Sequence, residues 1–496
     1  MKQFDIVIVG SGLGGLLCAN ILSKEGFSVC VIEKNKQIGG CLQTFNRGGC
    51  VFDTGVHYIG SMDEGQVTNR LFKYFGIMDK LNLKRLDENG FDILDLNGTQ
   101  FKYPIGYDRF IDTMSHQFPR EKEEIKEYCK QIMKIIDSLD LFNLRLPQKS
   151  GFNPYYSLSI ADFMSSVTCN KQLQNVLAGL NFLYAGSSHN TSIYQHATVF
   201  HSFLQSSWRP IDGSSQIADF LVESIEENGG VILSDSEVCH FKFSGKNIES
   251  VKLNNGEEIH GKQFISNVHP AVTLSLIDRE NVRALYRERI ESISNSISTF
   301  CLYVRLKENS FKYQNYNYYH INSDDVWSVL EQKTDDWPGG YMFLTPATSK
   351  SEDYADTAII LTFMEYKDVL QWENTSINKR GEEYLDFKRK KAECLLDAVE
   401  ENIPGFRQQI KQYYTSTPLT YRDYTGTKDG SIYGISKDCK DPFKTHVSVR
   451  TKIPNLFFTG QNTSMHGILG VSIGSLQTCA EFIGYERIID QINKSS

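Results

Sequence analysis

The chain has 496 residues, enough for more than one folding unit, and a net charge of −8 with 40% hydrophobic and 23% charged residues. That acidic balance argues against a nucleic-acid partner, and the composition is that of an ordinary globular protein. No uninterrupted apolar run reaches the roughly 18 residues that a membrane-spanning helix needs.

Phe4 to Val9 is an apolar run that reads as a buried parallel strand. It lacks the basic flank and small-residue cleavage site of a signal peptide. It leads into Gly10-Ser11-Gly12-Leu13-Gly14-Gly15, a G-x-G-x-x-G turn, and Leu16 to Lys24 follows with helical periodicity. Ser28 to Ile32 reads as a second strand and ends in Glu33, followed by Lys34. Strand, glycine turn, helix, strand and acid, in that order, describe a dinucleotide-binding unit. Gly10 allows the tight turn, Gly12 the approach of a pyrophosphate, and Gly15 close packing of helix on strand. Leu13 and Gly14 lie in the turn before the helix, whose free N–H groups favour phosphate. Glu33 suits an adenosine ribose. The competing reading is a βαβ unit whose glycines serve packing alone.

Soon after Glu33 come Ile38-Gly39-Gly40-Cys41 and Phe52-Asp53-Thr54-Gly55-Val56-His57. A second glycine pair here suits the extended FAD more than a nicotinamide dinucleotide. The far end of the chain agrees. Ile453 to Phe458 reads as a short strand that ends at Gly460-Gln461; Gly467, Gly470 and Val471 follow, then a periodic stretch from Ile473 to Ile489. FAD is therefore the expected cofactor. Its candidate contacts are Gly10, Gly12, Leu13, Gly14, Gly15, Glu33, Lys34, Gly39, Gly40, Cys41, Thr54, Gly55, Val56, His57, Val238, Gly460, Gln461, Gly470 and Val471.

Between these ends, Glu121 to Leu139 and Ser159 to Leu183 read as helix, and Trp208 to Ser215 as a loop. Gln216 to Asn228 is a helix closed by Gly229-Gly230. Val231–Leu233, Glu237–Phe243, Ile248–Leu253 and Gln263–Ile265 read as strands of a β-meander, separated by Ser-Gly-Lys and Asn-Asn-Gly turns. Thr299–Leu306, Asn315–Ile321 and Ala358–Tyr366 carry further strand signals, and Glu382 to Asn402 a helix. The expected fold is α/β. A discontinuous Rossmann-like FAD-binding domain takes 1–75, 200–290 and 415–496, and a mixed α+β substrate domain takes 76–199 and 291–414. The 55 Tyr and Phe residues are mostly core, with room among them for an apolar tunnel.

The 11 cysteines are scattered without a C-x-x-C pair, which predicts reduced thiols and a cytoplasmic setting. Cys41 reads as a small packing residue near the flavin, with a redox role as the alternative. No metal site is expected, and His196 and His201 have the wrong spacing for one helix face.

In these motifs the chain resembles the carotenoid (phytoene) desaturase group of FAD oxidoreductases, and within it the all-trans-retinol 13,14-reductase (retinol saturase) branch. The likeness rests on the segments already quoted. It extends to Tyr58-Ile59-Gly60, Met62 to Gly65, Gly213 to Ala218, Ile265-Ser266-Asn267, Ser416 to Thr420 and Gly434. Two departures stand out. Cys41 occupies a place where many relatives in the wider group have arginine, and Gln461-Asn462 a place where many have an acid.

The resemblance implies hydride transfer between flavin N5 and a carbon of an apolar chain. It implies a hydrophobic small-molecule ligand and leaves a peripheral membrane contact open. It does not choose between saturation, desaturation and isomerisation. His57, Tyr58 and His466 are the candidate proton donors or flavin-face residues, and each has a plainer reading as a packing or hydrogen-bonding side chain. Tyr184 reads as core or tunnel lining. The electron donor or acceptor is unassigned. Only one complete G-x-G-x-x-G follows a strand, so NAD(P)H would dock transiently, with a quinone, a redox protein or oxygen as the alternatives. A flavin amine oxidase and a non-catalytic prenyl-binding protein on the same fold are the competing readings.

Overall fold

The computed structural model describes residues 3–148, 153–330 and 337–495. Its first seven-stranded sheet is built around Gln3–Val9, which lies between Val29–Ile32 and Glu258–Ser266, both parallel to it. Val231–Leu233 extends the sheet beyond Val29–Ile32, and Leu456–Phe458 pairs in parallel with the end of Glu258–Ser266. Val238–Ser244, Asn247–Leu253 and Glu258–Ser266 form an antiparallel meander. Parallel strands covered on both faces need apolar residues at every position. That is why Val29–Ile32 reads as a continuous apolar run and is wholly buried.

The helix Leu13–Lys24 is buried from Gly14 to Ser23 because it is packed by the helices Ser215–Glu227 and Gly467–Ile483 as well as the sheet.

A second seven-stranded sheet has the order Ile410–Ser416, Ser298–Leu306, Thr357–Met364, Gly340–Leu344, Asn317–Ile321, Asp92–Leu96, Thr99–Tyr103. Its pairs are antiparallel except Asn317–Ile321 with Asp92–Leu96. Side chains alternate between its faces. Cys301, Tyr303, Tyr319, Met342 and Phe363 join one core, and Phe300, Leu302, Tyr318, Phe343 and Ile360 another, under the helix Glu382–Asn402. Much of the aromatic content is therefore ordinary core.

Four sequence expectations need correction. Trp208 to Ser215 is not all loop: Ser207–Pro210 is a strand paired with Ile59–Gly60 and Leu83–Arg85. Its buried arginine and terminal proline hide the strand pattern. Ser159 to Leu183 is broken into Ile160–Val167, Lys171–Leu177 and a 3₁₀ turn at Asn181–Leu183. Asn170, whose side chain accepts from Leu173 N at 3.2 Å, starts a second helix. The C-terminal helix begins at Gly467 rather than Ile473 and ends at Ile483, and Gly484 at φ +78° separates it from Tyr485–Ser495. Finally, Ile193–Gln205 is a helix with no counterpart in the sequence expectations. It is buried on nearly all sides, so no amphipathic period marks it.

Candidate functional site

Three glycine loops converge at the carboxyl ends of the first sheet's parallel strands, where ligands of such sheets bind. In the first, Gly10 takes φ +94° and its N–H donates to Ile32 O at 2.8 Å. A Cβ at Gly15 would lie 2.1 Å from Gly10 O, so Gly15 is a packing requirement. In the second loop, Gly39 and Gly40 have φ +110° and +57°, and a Cβ at Gly40 would lie 3.0 Å from Gly12 Cα. The third follows Leu456–Phe458. Gly460 has φ +86°, and a Cβ at Gly14 would lie 2.7 Å from its Cα. Asn267, directly after Glu258–Ser266, sits between the first and third loops: Cβ atoms at Gly12, Gly14 and Gly460 would come within 2.7, 2.6 and 2.2 Å of its amide.

A cavity of about 280 Å³, measured as space for the centres of water molecules, opens on these loops. Gly12, Leu13, Gly14, Gly39, Gly40, Cys41, Thr54, Gly55, Val56, His57, Tyr58, Gly460, Gln461, His466, Gly470 and Val471 all line it. Gly10, Gly15, Glu33, Lys34 and Val238 do not. Glu33 is buried behind the first turn. Its Oε2 accepts from Ser11 N at 3.0 Å and Ser11 Oγ at 2.7 Å, and its Oε1 from Asn35 N at 2.9 Å. A carboxylate has about four acceptor sites, so one remains for a ligand hydroxyl. Ser236 N donates to Glu33 O at 2.8 Å, which brings the start of the meander beside it; Val238 itself is buried in the core. Lys34 Nζ donates to Asp423 O at 2.8 Å.

The opposite wall comes from the second half of the fold. It includes Phe182, Val199, Phe203, Met342, Leu361, Tyr421 and Tyr433, and Asn267 completes the glycine side. Sequence reasoning missed these residues as site members. Val199 and Phe203 lie on the helix that has no amphipathic signature. Asn267 had a usable signal in its place at the end of a central parallel strand. Among the described residues, no Asp, Glu, Lys or Arg side chain lines the cavity.

His57 is about nine-tenths buried, and neither ring nitrogen has a partner among the described residues. Burial first, and the Arg209 charge second, push its pKa down to about 4, so the imidazole is neutral near pH 7. An unpartnered polar ring is costly unless a ligand satisfies it. His466 is also depressed to about 4 by burial; its Nε2 lies 2.9 Å from Leu183 O and its ring packs on Tyr433 at 4.3 Å. Burial pushes the Cys41 thiol up to about 11, which keeps it protonated and a poor nucleophile. Tyr184 is off the cavity and bonds His196 Nδ1 at 3.0 Å, so it is core. His196 and His201 share one helix but bond to different tyrosines, Tyr128 and Tyr107. Half-buried Lys437, drawn down to about 8 by desolvation, donates to the carbonyls of Asn462 and Thr463 and pins the third loop.

Arg209 is 1% exposed and, among the described residues, forms no ion pair at contact distance. It donates to Thr345 O at 2.6 Å, Asn317 Oδ1 at 2.6 Å, Tyr313 Oη and Gln314 O at 3.2 Å, and Tyr316 O at 3.4 Å. Arg209→Met would leave these oxygens buried and unsatisfied. It is expected to lower the unfolding free energy by about 3–5 kcal/mol, read from the urea midpoint. A midpoint unchanged from wild type would show that the guanidinium is not structural.

The glycine cradles and the orphaned His57 ring fit a flavin dinucleotide. Residues 13–477 match the family model described as flavin containing amine oxidoreductase. The chain belongs to that family and is a flavin-dependent oxidoreductase of the carotenoid desaturase-like kind. It is 26% identical to the all-trans-retinol 13,14-reductase of Rattus norvegicus, over 96% of this chain and 85% of the relative. It is 23% identical to a chloroplastic prolycopene isomerase of an Oncidium hybrid cultivar, over 87% and 75%. Among solved structures, an oxidoreductase from Methanosarcina mazei has the same fold, with TM-score 0.63, 15% identity and coverage of 95% and 98%. Among the described residues, no group of three or more His, Cys, Asp or Glu is placed to hold a metal, and no helix is long and apolar enough to cross a membrane.

Proposed function

We propose that the protein saturates or desaturates a C=C bond of a hydrophobic isoprenoid, polyene or long-chain lipid. The observation that carries this reading is the cavity wall: apolar side chains face the glycine loops, and among the described residues no ionised side chain lines the space between. An amine or a charged substrate would find no carboxylate or lysine there, whereas an apolar chain meets Phe182, Phe203, Met342 and Leu361. The names of the reductase and isomerase relatives support the same substrate class.

When bound, FAD supplies hydride transfer at N5. The residues of this chain bind, orient and exclude water. Gly12 to Gly14 and the first helix N-terminus take the pyrophosphate without a charged side chain, and Glu33 takes a ribose hydroxyl. Gly39 to Cys41, Thr54 to His57 and Gly460 to Val471 take the rest of the cofactor. Neutral His57 satisfies its ring nitrogens against the flavin and orients it, rather than acting as a cationic acid. His57→Ala is expected to keep FAD and to slow turnover about tenfold; unchanged turnover would remove His57 from the site. Cys41→Ser is expected to leave flavin content and activity near wild type, and loss of activity would revive a thiol role.

The reading includes NAD(P)H as a transiently docking electron donor and a cytoplasmic setting, the latter supported by 11 cysteines scattered without a C-x-x-C pair. It also includes a peripheral membrane contact for delivery of the greasy substrate. Anaerobic reduction of the purified flavoprotein, followed by panels of retinoids, carotenoids and unsaturated fatty acids, tests the reading. Flavin reoxidation with a product two mass units heavier supports saturation and identifies the substrate class. Turnover of amines instead would overturn the reading.

A further inference from the structure

Tyr58 connects the cavity to a buried polar chain in the second sheet. Its ring lines the cavity and packs on Phe203 at 4.4 Å between centroids. Its hydroxyl lies 2.9 Å from Asp92 Oδ2 and 2.8 Å from the Tyr319 hydroxyl. Asp92 Oδ1 accepts from Asn317 Nδ2 at 2.7 Å, and Asn317 Oδ1 accepts from buried Arg209. Asp92 and Asn317 stand opposite each other on the parallel pair of the second sheet. Asp92 is fully buried and Tyr319 is 1% exposed, and each Asp92 oxygen accepts one of these bonds, a pattern that an asparagine amide could not reproduce.

We infer that Tyr58, backed by Asp92 and Tyr319, is the route by which a proton enters or leaves the cavity, with Asp92 as the proton store. The inference rests on the saturase or desaturase reading. In the saturating direction, one carbon of a conjugated C=C accepts hydride, with its electron pair, from the two-electron-reduced flavin. The π pair moves to the neighbouring carbon and forms a new C–H bond with the Tyr58 phenolic proton. The O–H bond of Tyr58 breaks and leaves a phenolate. The Asp92 carboxyl then gives its proton to that oxygen and becomes a carboxylate, which solvent reprotonates between turnovers. The alkene gains one hydride and one proton, and the flavin loses two electrons. Desaturation runs the same proton path in reverse.

The charge environment suits these roles. Burial raises the Asp92 pKa to about 7, partly offset by hydrogen bonds from Asn317 and Tyr58 and by the Arg209 charge. Burial first, and Asp92 second, push Tyr58 well above the ordinary phenol range, so it carries its proton at rest. The titratable or charged groups that face Asp92 are Tyr58, Tyr319, Tyr103 across the strand pair, and Arg209.

The test uses flavin-loaded wild type, Asp92→Asn, Tyr58→Phe and Tyr319→Phe, with the visible flavin spectrum as the check on folding. The wild-type minus Asp92→Asn infrared difference is expected to show a protonated-carboxyl band at about pH 6 that fades above about pH 8, the Asp53 carboxyl, itself raised to about 6, being common to both proteins. Turnover is expected to fall about 10- to 100-fold in Tyr58→Phe and Asp92→Asn. The wild-type loss of rate above neutral pH should flatten in Asp92→Asn. If Tyr58→Phe does not turn over or fold, Tyr319→Phe carries the test through a smaller loss of rate and a shifted carboxyl band. The absence of that band from the difference, or wild-type turnover in Tyr58→Phe, overturns the inference. A wild type that holds FAD and shows the band but converts no polyene overturns the saturase reading while leaving Asp92 as a buried proton store.

Discussion

Gly12→Asp is expected to purify as a colourless protein, with FAD affinity lowered about 100-fold or more, or at least ~2.7 kcal/mol. Gly12 caps the first helix and lines the cavity. An added Cβ there would lie 2.7 Å from Asn267 Nδ2, the far end of a flexible side chain that can move. Steric conflict alone is therefore mild, and Gly12→Ala should retain part of its flavin. Aspartate adds a negative charge where the helix N-terminus invites a phosphate, and the two anions would compete for the same N–H groups. Visible absorbance after incubation with FAD, with calorimetric titration of the apoprotein, measures both variants. Full flavin occupancy in Gly12→Asp would sink the assignment of this loop to the pyrophosphate.

The second large effect is expected on acidification. Four histidines, His57, His196, His201 and His466, are depressed by burial to about 4, 3, 4 and 4. Each binds a proton in the unfolded chain near pH 6.5 but not in the folded one, so stability falls as pH drops from about 6.5 to 4. Asp53 and Asp92 act oppositely. Burial raises them to about 6 and about 7, so the folded state takes up their protons first and gains stability as pH falls toward 3.8. Four groups against two leave a net uptake of about two protons on unfolding between pH 6 and 4. That amounts to a loss of stability of about 2–3 kcal/mol per pH unit. Urea midpoints across this range provide the measurement. A midpoint that rises on acidification would mean that the carboxyls dominate.

The sequence made the first half of the fold readable because its chemistry is local. A glycine turn between an apolar strand and a helix needs no distant partner to be recognised, and the same holds for Leu456 to Gly460. The β-meander was legible from its turns and Glu382–Asn402 from its period. The second wall of the cavity was not. Val199 and Phe203 lie on a helix buried on most sides, so periodicity has nothing to report. Arg209 sits in a strand whose charged residue argues against a strand until its carbonyl partners, more than 100 positions away, are known. Asp92 looks like any exposed acid in sequence, and only the pairing of two strands more than 200 residues apart brings Asn317 and Tyr319 to it.

The cavity draws its lining from positions as distant as Gly12, Gly39, His57, Phe182, Met342 and Val471. A ligand seated there ties the first turn of the chain to its penultimate helix. FAD thus acts as a non-covalent cross-link that only the native chain closure can accept. At a free cofactor concentration of 1,000 times its Kd, that linkage adds about 4 kcal/mol to stability. Cells short of riboflavin should therefore accumulate less of this protein, through clearance of the unfastened apo form, even where its transcript is unchanged.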